Sequence, residues 1–271
     1  MCWDISLHSD IEIVKKAFPA LKDQRRNLNY DLSHMEDVWA WSFPDYPIIY
    51  REKATGELAL TEMEWGVYPL YLEGKGKTQQ EIDTQRRNQV NARSERIVDD
   101  PKSLWYRMKN QRCLIPVSGI YEHRKIKTWK KKVPYYIAEK GRDLFYIPGL
   151  YQFMEVVDED GVVERKGNFA MITRSANEVM AGIHNDGNNK HRMPLFLPED
   201  MEKEWLADIT PLDMAEIFSY QLPADQLTYT PVFSLRNAVR MDGKHLYEPF
   251  EWQGLPPLGN DDPGSVQTSL F

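Results

Sequence analysis

Short apolar segments that end after a few residues at Gly, Pro or a cluster of charges recur along the whole chain. Their β-branched and aromatic content, and the turn residues that bound them, are typical of strands rather than of long helices. The segments interpreted as extended comprise residues 39–50, 58–72 with breaks at Gly66 and Pro69, 112–122, 135–138, 144–151, 168–173 and 227–233. A fold rich in short strands is therefore predicted.

Short helices are predicted between these strands. Several begin at a residue that caps helices, such as Ser9 or Asp10, or at a proline in the first turn. The helical segments comprise residues 10–18, 78–90, 100–109, 177–183, 198–206 and 211–220. Residues 124–132 hold six basic side chains in nine positions and are expected to join two strands as a solvated hairpin, with a phosphate-tracking flap as the alternative.

Composition indicates one folded domain with a tail. Hydrophobic residues make up 42% of the chain and aromatic residues 12%, which is enough for a packed core and excludes disorder throughout. Residues 251–271 contain Pro, Gly and Asp but no Lys or Arg. We therefore predict a domain over residues 1–250 and a flexible acidic C-terminal tail over residues 251–271.

Charge and targeting signals point to the cytoplasm. Asp4, Asp10 and Glu12 interrupt the first apolar positions, which is unlike a secretory signal, and no apolar run is long enough to span a bilayer. The net charge of -7 argues against non-specific coating of nucleic acid but allows a local basic groove. A cytoplasmic protein is expected.

Cofactor motifs are not found in the sequence. Two cysteines, Cys2 and Cys113, exclude a disulfide scaffold and form no Cys-x-x-Cys pattern. His184 and His191 lie seven residues apart in a polar segment, which does not match the spacing of a zinc site, and no Gly-rich phosphate loop is present. We expect neither a metal nor an organic cofactor.

Cys2 differs from Cys113, which lies in an apolar run and is interpreted as a core residue. A small second residue permits removal of Met1, which would leave an α-amine with a pKa of about 7.7–8.0 and a thiol with a pKa of about 8.5 on one carbon skeleton. Such a 1,2-aminothiol condenses with an aldehyde to an imine, and the thiol then closes a thiazolidine ring. The alternative is a cysteine that simply follows the initiator.

Three further segments carry residues suited to such chemistry. Asn91 begins the segment Asn-Ala-Arg-Ser-Glu, Glu122 ends an apolar strand, and His184 is joined to Arg192 by a polar loop. Each has a simpler interpretation: a helix C-cap for Asn91, a solvated strand end for Glu122 and a surface position for His184. The residues alone leave both interpretations open.

Taken together and in this order behind Cys2, these segments resemble the SRAP (SOS response-associated peptidase) family. The matching motifs are Met1–Cys2, Trp65–Gly66, Asn91–Glu95, Gly119–Glu122, Ile183–His184, Arg192–Pro194 and Pro231–Val232. The resemblance implies a single α+β domain of short, strongly curved β-strands, barrel-like, with flanking helices. It also implies binding to abasic sites in single-stranded DNA, a covalent thiazolidine cross-link through Cys2, and association with the nucleoid when DNA is bound.

The resemblance assigns a role to each motif residue. Cys2 is the nucleophile through both its amine and its thiol, and Asn91 orients it. Glu122 is the general acid/base, and His184 assists opening of the abasic deoxyribose or proton transfer. Because the loop before Arg-Met-Pro is stretched here, His191 is the alternative catalytic histidine.

DNA contacts follow from the same resemblance. Arg93 and Arg192 match phosphate contacts, and Thr173 matches a position near the DNA backbone. Tyr68, Pro69 and Tyr71 are expected to stack on bases or to wedge a strand–duplex junction. The family commonly starts Met-Cys-Gly-Arg, whereas this chain has Trp3 and Asp4, so a carboxylate is expected to repel DNA at this position.

Two other activities remain open from the residues. One is a cysteine peptidase or hydrolase that uses Cys2 and His184, limited to removing its own first residue or to a lyase-like reversal of its cross-link. The other is a non-covalent single-stranded DNA-binding protein. A further partner is suggested by residues 267–271, which resemble the bacterial replication sliding-clamp peptide. The residues that match this peptide are Gln267, Ser269, Leu270 and Phe271.

Overall fold

The computed structural model describes residues 2–10, 12–25, 35–157, 160–236, 240 and 242–262. The described residues form an α+β fold with the following strands: β1 (Asp4–Ser6), β2 (Lys22–Asp23), β3 (Val38–Trp39), β4 (Asp45–Arg51), β5 (Leu58–Trp65), β6 (Asn91–Arg93), β7 (Arg112–Val117), β8 (Gly119–Arg124), β9 (Val133–Glu139), β10 (Phe145–Val157), β11 (Val163–Ser175), β12 (Arg192–Pro194) and β13 (Leu227–Pro231). The helices are α1 (Glu12–Ala17), α2 (Gln79–Arg87), α3 (Glu95–Val98), α4 (Leu104–Met108), α5 (Glu178–Ile183), α6 (Glu199–Trp205) and α7 (Pro211–Ser219), with 3-10 turns at Ala40–Ser42, Leu70–Leu72 and Ala224–Gln226.

Five strands close into a barrel. β5, β4, β7, β10 and β11 pair in that order as antiparallel neighbours, and a parallel pairing of β11 with β5 completes the ring. Closure leaves these strands without a free edge, which removes a common site of aggregation. The barrel-like α+β fold implied by the family resemblance is confirmed. β10 and β11 span 13 residues each, longer than predicted, because their outer halves are polar and lack a strand pattern.

A second sheet packs beside the barrel and carries the start of the chain. Its strand order is β13-β9-β8-β1-β3, and Asp4 of β1 lies opposite Tyr121 of β8. The predicted single strand over residues 112–122 is wrong, because the chain passes from the barrel strand β7 to β8 at Ser118. The Ser118 hydroxyl accepts hydrogen bonds from the backbone N–H groups of His8 and Ser9, both at 3.1 Å, which stabilises this change of sheet.

Local sequence signals fix the helix ends. Thr78 and Glu81 form a capping box at the start of α2, and Asn177 caps α5. The helix predicted from residue 100 begins instead at α4, because Ser103 accepts a hydrogen bond from the Trp105 N–H and acts as its cap. α3 and the strand β6 were not predicted.

Trp65 anchors the segment that leads to Asn91. Its indole is fully buried, stacks on Phe169 at 5.9 Å between ring centroids, and donates a hydrogen bond to the Val90 carbonyl at 2.9 Å. Burial of an indole at about 25 cal/mol per Å² contributes on the order of 4 kcal/mol. The hydrogen bond places Asn91, the next residue, at the end of the barrel.

The C-terminal segment extends the domain further than predicted. Arg124 is fully buried and donates hydrogen bonds to the carbonyls of Pro256 at 2.8 Å and Pro257 at 2.7 Å and to the Asp261 carboxylate at 2.7 Å. A buried guanidinium requires such acceptors. Residues 251–262 therefore contact the domain instead of belonging to a flexible tail. The predicted clamp-binding peptide, residues 267–271, lies outside the described residues.

The basic run is a hairpin loop between β8 and β9, as predicted. Several of its charges have acidic partners. Lys127 pairs with Asp262 at 2.7 Å, and Lys132 pairs with Asp186 at 2.9 Å. The pairing lowers the positive field that a phosphate-tracking flap would need.

None of the helices formed by the described residues has the length and apolar content needed to cross a membrane.

Candidate active site

A polar cavity of about 270 Å³ opens where the start of the chain, β8 and the end of α5 meet. Its walls come from both ends of the sequence. The lining residues are Trp3, Asp4, Tyr121, Glu122, His123, Lys132, His184, Asp186, Gly187, Asn188, Asn189 and Arg236. Cys2 lies next to Trp3 in the chain, directly behind this wall.

Cys2 is buried, with 1% of its surface exposed. Its sulfhydryl donates to the Asp4 carbonyl at 3.4 Å, and its own carbonyl accepts a hydrogen bond from Asn91 Nδ2 at 2.8 Å. Burial, and secondarily the negative charge of Glu122, raises the pKa of the Cys2 thiol well above its ordinary value. The thiol is therefore protonated at neutral pH.

Asn91 and Glu122 reach the site from different sheets. Asn91 begins β6, which pairs with the barrel strand β11, and Glu122 lies in β8 opposite Tyr135. Both side chains are buried, and among the described residues Asn91 Oδ1 and Glu122 Oε1 have no hydrogen-bond partner. A buried acceptor without a partner costs about 1–3 kcal/mol. Such a cost is typical of a site that a ligand or reactant completes.

His184 is held at the end of α5. Its backbone N–H donates to the Met180 carbonyl, and Nδ1 lies 3.0 Å from the Arg192 carbonyl oxygen. Burial lowers the pKa of His184 below its ordinary value, against the opposite effect of the Glu122 carboxylate. The imidazole is neutral near pH 7.

The structure separates the two candidate histidines. His184 lines the cavity, whereas the His191 side chain is exposed and its backbone has a φ of 60°. The His191 N–H donates to the His184 carbonyl at 2.8 Å, so the stretched loop folds back on His184. The geometry supports His184 as the histidine of the cavity.

The Asp4 carboxylate does not face the cavity as an isolated charge. It forms an ion pair with the Arg236 guanidinium, which also lies 4.7 Å above the centre of the Trp39 ring. Asp4 is 3% exposed. The expected repulsion of DNA by Asp4 is thus offset by a cation from a distant part of the chain.

Arg192 and Thr173 lie inside the protein. Arg192 donates hydrogen bonds to both Glu95 carboxylate oxygens, at 2.5 and 3.0 Å, and to the Thr173 carbonyl at 2.8 Å. Thr173 is fully buried and Arg192 is 9% exposed. Neither side chain is therefore available to a DNA phosphate in this structure. Thr173 is buried, and the Arg192 guanidinium is already bound by the Glu95 carboxylate.

Of the other predicted DNA-binding residues, Arg93 lies beside the cavity wall, and Tyr68, Pro69 and Tyr71 do not line the cavity. Arg93 is exposed and donates a hydrogen bond to Asn189, a residue of the wall. Tyr71 is 46% exposed and lines a different cavity of about 340 Å³ beside α2. The Tyr68 backbone N–H donates a hydrogen bond to the Asn168 side chain of the barrel strand β11. Pro69 precedes the 3-10 turn Leu70–Leu72.

Three residues beside the site were missed by sequence reasoning. Trp41 packs against both Trp3 and Trp39, and Arg236 lines the cavity. The spacing of Trp39 and Trp41 gave a weak signal of an aromatic edge, but no motif connects Arg236 to Asp4. Among the described residues, no group of three or more His, Cys, Asp or Glu side chains could hold a metal ion.

A neutral imidazole and a carboxyl with one oxygen that has no partner among the described residues thus line one polar cavity, and the neutral Cys2 thiol lies next to its wall. A closed barrel with a flanking sheet and a buried second-position cysteine defines the class of protein. A sequence profile of the family described as SOS response associated peptidase (SRAP) matches residues 1–239. The chain belongs to the SRAP family, as its motifs predicted.

Two relatives of this chain are both named abasic site processing proteins. The chain is 30% identical over 160 residues to the abasic site processing protein YoqW of Bacillus subtilis (strain 168), covering 59% of this chain and 66% of that protein, just under two thirds. It is 24% identical over 230 residues to the abasic site processing protein HMCES of Gallus gallus, covering 77% of this chain and 62% of that protein.

Solved structures share the fold. A protein from Bacteroides thetaiotaomicron superposes with a TM-score of 0.67 at 23% identity, covering 86% of this chain and 92% of that chain. A phage-related protein from Bordetella bronchiseptica superposes with a TM-score of 0.58 at 20% identity, covering 86% of this chain and 95% of that chain.

Proposed function

We propose that this protein binds abasic sites in single-stranded DNA and, after removal of Met1, forms a covalent thiazolidine cross-link through Cys2 that shields the lesion. The observation that carries the proposal is that Asn91 holds the Cys2 carbonyl while Glu122 and His184 line the cavity beside Trp3, the residue that follows Cys2. The names of the relatives, which are abasic site processing proteins, support the same substrate.

The reaction consumes one aldehyde and releases one water. The Cys2 α-amine adds to C1′ of the ring-opened deoxyribose to give a carbinolamine, and loss of the hydroxyl as water gives an imine. The Cys2 sulfur then adds to the same carbon, and the thiol proton passes to the ring nitrogen. The net result is one C–N bond and one C–S bond to C1′, with no change in oxidation state and no requirement for a cofactor.

Each neighbour of Cys2 has a task in this sequence. Glu122, whose Oε1 has no hydrogen-bond partner in the part of the chain that the structure describes, takes a proton from the amine and returns it to the departing hydroxyl. Asn91 holds the Cys2 carbonyl and so orients the amine and thiol. His184, as a neutral imidazole, assists opening of the sugar to its aldehyde.

The same groups are poorly suited to a cysteine peptidase. A peptidase needs a thiolate, commonly paired with an imidazolium. Here burial and Glu122 raise the pKa of Cys2, and burial lowers the pKa of His184, so both groups are neutral. An amine that attacks first and a thiol that follows fit this electrostatic state better.

The DNA path is proposed to pass the mouth of the cavity beside Arg93. This arginine is exposed and its guanidinium lies next to the loop that carries Asn189. The exposed Tyr71 and the half-buried Tyr68 are proposed as more distant stacking contacts near α2 for the continuing strand, whereas Pro69 between them is buried. Arg192 acts indirectly, since with Glu95 it fixes the end of the loop behind His184.

The test is incubation of the purified protein with single-stranded DNA that carries one abasic site, followed by a denaturing gel. Intact mass first establishes that Met1 is absent. Wild type is expected to give a heat-stable shift. Cys2→Ala is expected to give no shift, and Cys2→Ser, which keeps the amine but lacks the thiol, is expected to give no heat-stable product. No shift from protein that lacks Met1 would contradict the cross-link, and a native-gel shift alone would indicate a non-covalent binder.

A further inference from the structure

Three tryptophans form a continuous aromatic surface beside the cavity. The Trp3 and Trp41 ring centroids are 4.8 Å apart, and those of Trp39 and Trp41 are 6.1 Å apart. Trp3 is 36% exposed and Trp39 is 37% exposed, and Trp41 lies half-buried between them. We call Trp3, Trp39 and Trp41 the tryptophan platform.

The backbone fixes this platform relative to Cys2. Trp3 directly follows the nucleophile, and Asp4 pairs with Trp39 where β1 meets the edge strand β3. The Ala40 N–H donates to the Trp3 carbonyl at 2.8 Å, which continues the pairing into the turn that carries Trp41. Trp3 lies directly before β1, Trp39 ends β3, and Trp41 lies in the 3-10 turn after β3. The pairing of β1 with β3 therefore fixes all three residues close to Cys2.

Charges near the platform are largely paired. Arg236 binds Asp4 while covering one side of Trp39, and Lys132 binds Asp186 across the cavity. These cations are less available to phosphate than unpaired ones would be. Trp3 and Trp39 each keep more than a third of their surface exposed beside these paired charges, and a cluster of exposed aromatic surface is typical of a binding site.

An abasic site offers a matching partner. Loss of one base removes a stacking neighbour, so the base of the adjacent nucleotide presents a bare aromatic face next to the reactive sugar. An indole beside the nucleophile replaces the missing neighbour.

We propose that the tryptophan platform stacks on the base that flanks the abasic sugar, with Trp3, which lines the cavity, as the residue that reads it. This proposal rests on the proposed function, whose site it extends. Stacking on one base is worth about tenfold in affinity, and a purine is expected to bind tighter than a pyrimidine.

The test uses single-stranded oligonucleotides with one tetrahydrofuran abasic analogue, which has no aldehyde and cannot cross-link. Binding is measured by anisotropy for a strand in which adenine flanks the analogue and for one in which further tetrahydrofuran units replace both flanking bases. The proteins are wild type, Trp3→Ala, Trp3→Phe and the control Tyr229→Ala. Tyr229 is a 41% exposed aromatic residue on β13, the opposite edge of the same sheet.

Wild type is expected to prefer the adenine-flanked strand about tenfold, and Trp3→Ala is expected to lose that preference. Trp3→Phe retains most of it, and Tyr229→Ala behaves as wild type. Equal affinity of wild type for both strands overturns the proposal without any need for a folded Trp3 variant. Equal weakening of both strands by Trp3→Ala also overturns it, because the ring would then be structural.

Two controls separate this proposal from its premise and from another occupant. A wild type that cross-links natural abasic DNA but shows no flanking-base preference refutes the platform and leaves the proposed function intact. A preference without any cross-link supports the platform and refutes the covalent chemistry. Conversion of a dimer to a monomer by Trp3→Ala in size-exclusion chromatography, with no change in the preference, would assign the surface to a second copy and overturn the proposal.

Discussion

Cys2 and Cys113 are both buried thiols, yet their surroundings differ in kind. Cys113 is fully buried in the barrel, where its Sγ approaches Gly149 so closely that an added Cβ would lie 2.9 Å away. Burial alone raises its pKa. Cys2 has the same burial but lies beside a polar cavity, and Glu122 raises its pKa further.

The difference shows what separates a core residue from a reactive one. Cys113 lies opposite Gly149 and Tyr50 in the paired barrel strands, and its carbonyl accepts a hydrogen bond from the Trp205 indole N–H at 3.0 Å. Around Cys2, Asn91 Oδ1 and Glu122 Oε1 lack partners among the described residues. Burial makes both thiols unreactive as thiolates, so the reactivity proposed for Cys2 depends on its amine and on its neighbours.

The largest expected effect comes from the two cysteines themselves. Cys2→Ala abolishes the cross-link to abasic single-stranded DNA, because the thiol that closes the ring is gone. Cys113→Ala leaves the cross-link intact and lowers the free energy of unfolding by about 1 kcal/mol, the cost of one buried methylene-sized group. Denaturing gels and urea titration measure the two outcomes. A stable cross-link formed by Cys2→Ala would contradict the proposed difference in reactivity between Cys2 and Cys113.

Glu122→Gln is expected to slow cross-linking by about 100-fold, because an amide cannot shuttle the proton between amine and hydroxyl. Glu139→Gln is the matched control. Glu139 lies in the same sheet, is buried and also has an Oε1 without a partner among the described residues, but it does not line the cavity. Single-turnover rates on abasic DNA give the comparison, and equal rates for the two variants would remove Glu122 from the chemistry.

Asn91→Ala is expected to slow the same reaction by about fivefold, since the loss of one hydrogen bond worth about 1 kcal/mol frees the Cys2 carbonyl. Affinity for the tetrahydrofuran strand should stay within a few-fold of wild type, because Asn91 positions the nucleophile and does not face the DNA path. If Asn91→Ala instead lowered the affinity for the tetrahydrofuran strand and left the cross-linking rate of the bound complex unchanged, Asn91 would be assigned to DNA binding.

The smallest effect is in the alkylation of the thiols. A thiol reacts as its thiolate, and negative charge opposes thiolate formation, so the iodoacetamide profile of Cys2 should rise at a pH above the ordinary thiol pKa of about 8.5. Removing the charge in Glu122→Gln should move that profile to lower pH. Peptide mapping should show Cys113 unmodified in the folded protein. A Cys2 profile centred below neutral pH would support a peptidase.

Sequence reasoning succeeded where a short contiguous motif carries the chemistry. Asn91, Glu122 and His184 each belong to such a motif; in the structure Asn91 binds the Cys2 carbonyl, and Glu122 and His184 line the neighbouring cavity, while their proposed roles stay predictions. The closed barrel followed from the same resemblance, although its pairing of β5 with β11 joins strands far apart in the chain. The capping residues Thr78 and Asn177 located their helices because caps act locally.

Tertiary contacts account for what could not be predicted. The ion pair of Asp4 with Arg236 joins the two ends of the domain, and neither residue shows a sign of it in its own neighbourhood. Ser118 looked like one position in a continuous apolar strand, yet its bonds to residues 8 and 9 divide that strand between sheets. Arg124 looked like part of a solvated hairpin, but it is buried and fixes the C-terminal segment.

The most direct test of covalent shielding is the mass of the linked residue. Cross-linked protein is digested with nuclease and trypsin, and the N-terminal peptide, residues 2–15, is sequenced by mass spectrometry. We predict that Cys2 carries the deoxyribose remnant less one water, with both its amine and its thiol blocked and without prior reduction. A remnant on a lysine, or on a Cys2 whose thiol can still be alkylated, would contradict thiazolidine formation at this site.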